Sequence, residues 1–126
     1  MSSSSPAPVS VGGISAADAI TLASDQVVLE GVNQKLIEYV VHMGYVHRVL
    51  FGSPLVITSG TDGQHSPGSL HAKGLALDVR VKDLDEADQN IFLSIMTWSA
   101  PARGVSLFDE RALKGAEHIH VEYHGE

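Results

Sequence analysis

The sequence contains no cysteine. Disulfides and thiolate metal sites are therefore both excluded, and any metal must be held by histidine and carboxylate. The same absence leaves the compartment open, since a cysteine-free chain works in either redox environment. Cations are scarce as well: Lys and Arg number 8 against 15 Asp and Glu, for a formal net charge of −7. No Lys/Arg cluster exists to displace phosphate counterions, which argues against nucleic acid as a partner and against charge-driven adhesion to an anionic wall polymer. No apolar run approaches the length of a membrane span, so no membrane partner is expected. Met1-Ser-Ser-Ser-Ser-Pro-Ala-Pro8 lacks a basic n-region and an apolar h-region and does not read as a secretory signal. A chain made in the cytoplasm and acting outside it would need another route of release.

What is present is an ordinary globular mixture, with 44% apolar and 18% charged residues over 126 positions. That length suits one domain with a real core. Residues 1–13 are rich in Ser, Pro and Gly and are expected to be a disordered tail, with the domain spanning 14–126. Ser15 is placed to cap a short helix over Ala16–Ser24. Leu29, Val32, Leu36, Val40 and Met43 recur on one helical face and predict a longer helix, stopping before Gly52-Ser53-Pro54. His42 and His47 lie on different faces of that segment and read as structural or solvent-facing. Leu55–Thr58 reads as a buried strand, followed by a polar loop over Ser59–Ser69 that is long enough to shape a pocket rim. Asp83-x-x-Glu86 resembles a capping box, leading into a helix with an apolar stripe of Leu84, Ala87, Ile91, Ile95 and Trp98 that ends at Pro101. Gly104–Phe108 and His118–Tyr123 are further strand candidates.

Two of the strands share a design. From Gly74 to Val81 the residues alternate, with Leu75, Leu77, Val79 and Val81 on one side and Gly74, Ala76, Asp78 and Arg80 on the other. At the C-terminus Ile119, Val121 and Tyr123 share one face, and His118, His120 and Glu122 the opposite one. Each strand has an apolar back for helices and a polar front. Paired in one sheet, the fronts would form a single floor, with room above small Gly74 and Ala76. A bend at Gly74 would bring His71 over Asp78. Two imidazoles and a carboxylate converging there suit zinc in charge and softness. Period alone would nominate Glu122, on the same face as His120, as a catalytic base.

Ser69-x-His71-x-x-Gly74-x-Ala76-x-Asp78, followed by Glu117-x-x-His120-x-Glu122-Tyr123, resembles the zinc D-Ala-D-Ala carboxypeptidases and L-alanyl-D-glutamate endopeptidases, a branch of the lysostaphin / D-Ala-D-Ala / hedgehog superfamily that includes phage endolysins. The similarity runs from about Val56 to Tyr123. It implies a small α+β domain with helices packed on one face of an antiparallel sheet and a zinc site on the other. It makes His71, Asp78 and His120 the Zn2+ ligands and Glu117 the catalytic base, turned in from the loop before the strand with help from Gly115. Glu122 then becomes a hydrogen-bonding partner. His118 sits beside the metal as a donor to its ligands or to the transition state, and Ser69 holds the loop that presents His71. The implied substrate is a D-amino-acid-containing peptidoglycan peptide. Many members carry Ser-Gly-Tyr-Arg after the first strand; here the place reads Ser59-Gly60-Thr61-Asp62, which leaves His65 or Arg80 to assist the substrate or oxyanion. The hedgehog branch offers a different function, a zinc-containing binding or structural module without catalysis, as would a phage virion component.

Overall fold

A computed structural model describes residues 10–11, 14–15, 19–62, 69–112 and 118–125. Among the described residues, seven strands and two long helices follow one another as β1 (Ser10–Val11), β2 (Ile14–Ser15), β3 (Ile20–Leu22), α1 (Gln34–Phe51), β4 (Leu55–Ser59), β5 (Ala76–Arg80), α2 (Glu86–Ser99), β6 (Val105–Asp109) and β7 (Ile119–Tyr123). β1 and β2 pair with each other, inside and just beyond the segment expected to be a tail. The other strands form one open sheet in the order β3-β4-β5-β7-β6. Only the β3–β4 pair is parallel; the rest of the sheet is antiparallel. The α+β class therefore stands, with a mixed rather than purely antiparallel sheet.

The apolar alternation of the strands decides where the helices sit. Leu55, Ile57, Leu77, Val79, Ile119 and Val121 are buried in one cluster with Leu36, Val40 and Met43 of α1 and Phe92 and Met96 of α2. Each such fully buried side chain contributes roughly 1.5–3 kcal/mol of transfer free energy. The Tyr39 hydroxyl of α1 donates to the Met96 carbonyl of α2 at 2.9 Å, tying the two helices inside the core. α1 is capped by Asn33, whose side chain accepts from the Lys35 N–H, and it stops at left-handed Gly52. Gly44 lets α1 lie on the incoming chain, because a Cβ there would stand 2.3 Å from the Ala19 carbonyl oxygen.

Several sequence expectations are corrected. Ile20–Leu22, expected within a helix over Ala16–Ser24, is a strand that pairs with Leu55–Ile57; a non-local ladder overrides a weak local cap signal. α1 begins at Gln34 instead of near Leu29, although Leu29 and Val32 still pack against the core from the preceding loop. The cap of α2 is Asp85, which accepts from the Asp88 N–H, so Asp83 lies outside the helix. The buried stripe of α2 runs through Phe92 and Met96, while Ile91 and Trp98 are 51% and 86% exposed. The expected stripe is rotated by about one residue from the true one. His47 is structural as expected: it is buried, with Nδ1 2.6 Å from the Ser53 carbonyl oxygen and edge-on contacts to Phe51 and Phe92.

Candidate metal centre

β5 and β7 are direct neighbours, and their register sets Asp78 opposite His120 and Ala76 opposite Glu122. The polar fronts of the two strands therefore form one floor, on the sheet face opposite the helices. His71 reaches this floor from a turn that ends at Gly74, whose φ is +76°. A Cβ at Gly74 would come within 1.9 Å of the Gly31 carbonyl oxygen, so the chain can cross there only as glycine. Ser69 helps shape the same turn, its Oγ accepting from the His71 backbone N–H at 3.1 Å. The register of β4 against β5 shifts between Ile57 and Ser59, an irregularity beside Asp78 of the kind that adjusts side-chain aim near sites.

Three ligand-type side chains converge. His71 Nε2 lies 3.3 Å from Asp78 Oδ2 and 3.3 Å from His120 Nδ1, and His120 Nδ1 lies 2.9 Å from Asp78 Oδ1. The outer nitrogens of both imidazoles are fixed by acceptors. His71 Nδ1 donates to the Gly60 carbonyl at 2.9 Å, and His120 Nε2 donates to Glu122 Oε2 at 2.8 Å. Because a carbonyl or carboxylate can only accept, each ring holds a hydrogen on its outer nitrogen, and its inner nitrogen, which shares a proton with Asp78 when no metal is bound, is the one a metal would meet. This carboxylate- or carbonyl-backed histidine is the usual support of a metal ligand. Asp62 supports the arrangement from further out, its Oδ1 accepting from the N–H groups of Gly60 and Val28 at 2.7 and 3.0 Å. His71, Asp78 and His120 are thus positioned to bind a metal ion.

Protons hold the metal-free cluster together. Burial raises the Asp78 pKa, but hydrogen bonds from His120 and His71 and the charges of His71 and His118 outweigh it, leaving the carboxyl well below the usual carboxylate range. The His120 pKa is pushed up to about 9, chiefly by its hydrogen bond to Asp78, against burial and with further help from Glu122. For His71 burial is the largest influence and acts downward, yet the Asp78 hydrogen bond and charge and the Gly60 carbonyl reverse it. A divalent cation would take over the role of these protons.

His118 shares the face of His120. Its Nε2 donates to Glu110 Oε1 at 2.7 Å and lies 3.4 Å from Asp78 Oδ1. Asp78, Glu110 and His118 form a second group positioned to bind a metal ion. Side-chain exposure rises from 10% at Asp78 to 31% at Glu110, so the floor opens toward solvent on that side. Phe108 of β6 stands opposite His120 in register, its ring 5.8 Å from the imidazole and 47% exposed. Arg80 follows Asp78 on the same strand face, but it pairs with Asp83, at 3.8 Å. It faces a pocket of about 440 Å³ shared with Thr21, Pro54 and Val56. Glu117 and His65 lie outside the described residues. Glu110 was not singled out by the sequence; a carboxylate just after the strand candidate that precedes the His-x-His strand is the signal that marks it. Neither a protein-family model nor a curated protein matches the chain.

Proposed function

We propose that this chain is a zinc-dependent peptidase that hydrolyses D-amino-acid-containing peptides of peptidoglycan, of the D-Ala-D-Ala carboxypeptidase or L-alanyl-D-glutamate endopeptidase type. The observation that carries the reading is the spacing of the ligand atoms. Zinc bonds of about 2.0–2.1 Å in a tetrahedron set neighbouring ligand atoms about 3.3–3.4 Å apart. The two imidazole nitrogens stand 3.3 Å apart, and each lies beside an oxygen of Asp78, His71 at 3.3 Å from Oδ2 and His120 at 2.9 Å from Oδ1, before any adjustment to an ion. Two neutral imidazoles and one carboxylate are a hydrolytic donor set, because three protein ligands leave a position free for water or substrate. When bound, zinc supplies a Lewis acid and lowers the pKa of water.

The chain's own residues divide the remaining work. Gly60 and Glu122 keep the ligand rings in the required tautomers. Glu117, on the resemblance, takes the proton of the attacking water and returns it to the leaving amine. His118, paired with Glu110 at the open side of the floor, lines the space where the oxyanion would form. The exposed Phe108 ring gives the substrate's small alkyl side chains an apolar wall beside His120. Arg80, or His65 from the loop, takes the substrate carboxylate.

Hydrolysis of a synthetic peptide ending in D-Ala-D-Ala, or of one containing L-Ala-D-Glu, tests the reading. Activity should vanish on chelation and return with added zinc. Activity indifferent to chelation would remove the metal from the reaction, and zinc bound without hydrolysis of either peptide would favour the non-catalytic module.

A further inference from the structure

The metal-ligating chemistry of the floor does not end with His71 and His120. Asp78 divides its oxygens between two sides: Oδ2 faces His71, while Oδ1 faces both His120 and His118. Beyond His118 stands Glu110, and the ligand atoms of Asp78, Glu110 and His118 all lie within 4.8 Å of one another. We propose that the centre is dinuclear, with a second divalent transition-metal ion held by His118 and Glu110 and bridged to the first through the Asp78 carboxylate. This rests on the reading of His71, Asp78 and His120 as a metal centre.

Three features support it. The second donor set mixes imidazole and carboxylate as the first does, so it selects the same class of borderline metal and not a hard, oxygen-only cation. Strand alternation puts His118 and His120 on one face, both beside Oδ1 of a carboxylate whose Oδ2 faces His71, and a carboxylate can bridge ions about 3.5–4 Å apart. Charge favours it too. With neutral imidazoles, Asp78, Glu110 and Glu122 leave the floor net negative even after one divalent ion binds, and a second ion makes it cationic, as stabilising an oxyanion requires. In the metal-free protein the His118 Nε2 proton is shared with Glu110 at 2.7 Å. An ion replacing that proton needs this pair to open to about 3.3 Å, a small side-chain rotation. The greater exposure of Glu110 makes the second ion the weaker and more exchangeable of the two.

The test counts ions on the metal-free, full-length chain titrated with Zn2+, by native mass spectrometry and calorimetry. Two ions are expected, one tight and one weak, with two separate 113Cd resonances in the cadmium-loaded protein. Glu110→Gln, which keeps a hydrogen-bonding partner for His118, should lose only the weak ion and one resonance. A wild-type chain that binds one ion, lost in His71→Ala and unaffected by Glu110→Gln, would overturn the second site and leave the first standing. A wild-type chain that binds no ion would overturn both.

Discussion

Asp78 and His120 stand directly opposite each other on neighbouring antiparallel strands, with Oδ1 2.9 Å from Nδ1. The sheet register itself makes this contact, so no loop has to close to bring the two ligands together. Removing either one should therefore abolish tight metal binding without removing the sheet. In His120→Ala or Asp78→Ala the zinc affinity should fall by more than the ~10–100-fold typical of an outer-shell change. The metal-dependent part of the melting temperature should disappear with it. Metal analysis after dialysis checks this, and unchanged zinc content would mean that other residues bind it.

Glu122 touches the cluster through His120. Glu122→Ala should weaken zinc binding by about 10–100-fold, by freeing the ring to rotate or change tautomer. The backbone fold should persist, because Glu122 lies on the polar face of β7, away from the apolar core. Competition with a chelator of known affinity measures the change.

The metal-free protein should respond to pH in a defined direction. His120 has a folded pKa of about 9 against about 6.5 unfolded, so its contribution is full below about 6.5 and is lost as pH rises through about 9. Asp78 is shifted downward; its contribution is present above the ordinary carboxylate range and is lost in strong acid. Metal binding runs the other way at the alkaline end, because the ion competes with the imidazole protons. The gap between the melting temperatures of the zinc-loaded and metal-free protein should thus widen from pH 6 to pH 9. A gap that narrows over that range would contradict the assignment of the imidazoles.

Tyr39 links the helices through one buried hydrogen bond to the Met96 carbonyl, and burial raises the pKa of its hydroxyl against smaller downward effects of Ser99 and Arg103. Tyr39→Phe should cost about 1 kcal/mol in denaturant unfolding and leave zinc affinity unchanged, since the helices cover the other face of the sheet. Leu77→Ala, beneath the floor, should cost about 2–5 kcal/mol.

The proposed base separates chemistry from binding. Glu117→Ala should retain zinc and lower the hydrolytic rate by about 10²–10⁴-fold. Retained activity would remove Glu117 from the role and return attention to Glu122.

The parts of the site legible in the sequence are those set by strand period. Alternation around His120 could be read because one face of β7 is buried and the other is not; in β5 both faces are buried, and Asp78 stood out as a charge between Leu77 and Val79. Gly74 carried its own signal, since a bend was needed to bring His71 back. Less visible were effects that depend on distant chain. β3 exists because Ile20–Leu22 finds Leu55–Ile57 across α1, and the Gly60 carbonyl supports His71 from a loop that Asp62 and Thr61 anchor to Val28. Glu110 meets His118 where β6 ends and β7 begins, a closeness that periodicity does not encode. The stripe of α2 was misplaced because Ile91 and Trp98 are apolar yet face outward, and apolar identity alone does not fix which side is buried.

The most direct measurement is mass spectrometry of purified peptidoglycan peptides incubated with the zinc-loaded protein. Release of terminal D-Ala, or cleavage between L-Ala and D-Glu, is expected with zinc and not with chelator or with the His120→Ala variant. Intact peptides in the presence of fully zinc-loaded, folded protein would contradict a peptidase and leave a metal-binding module in its place.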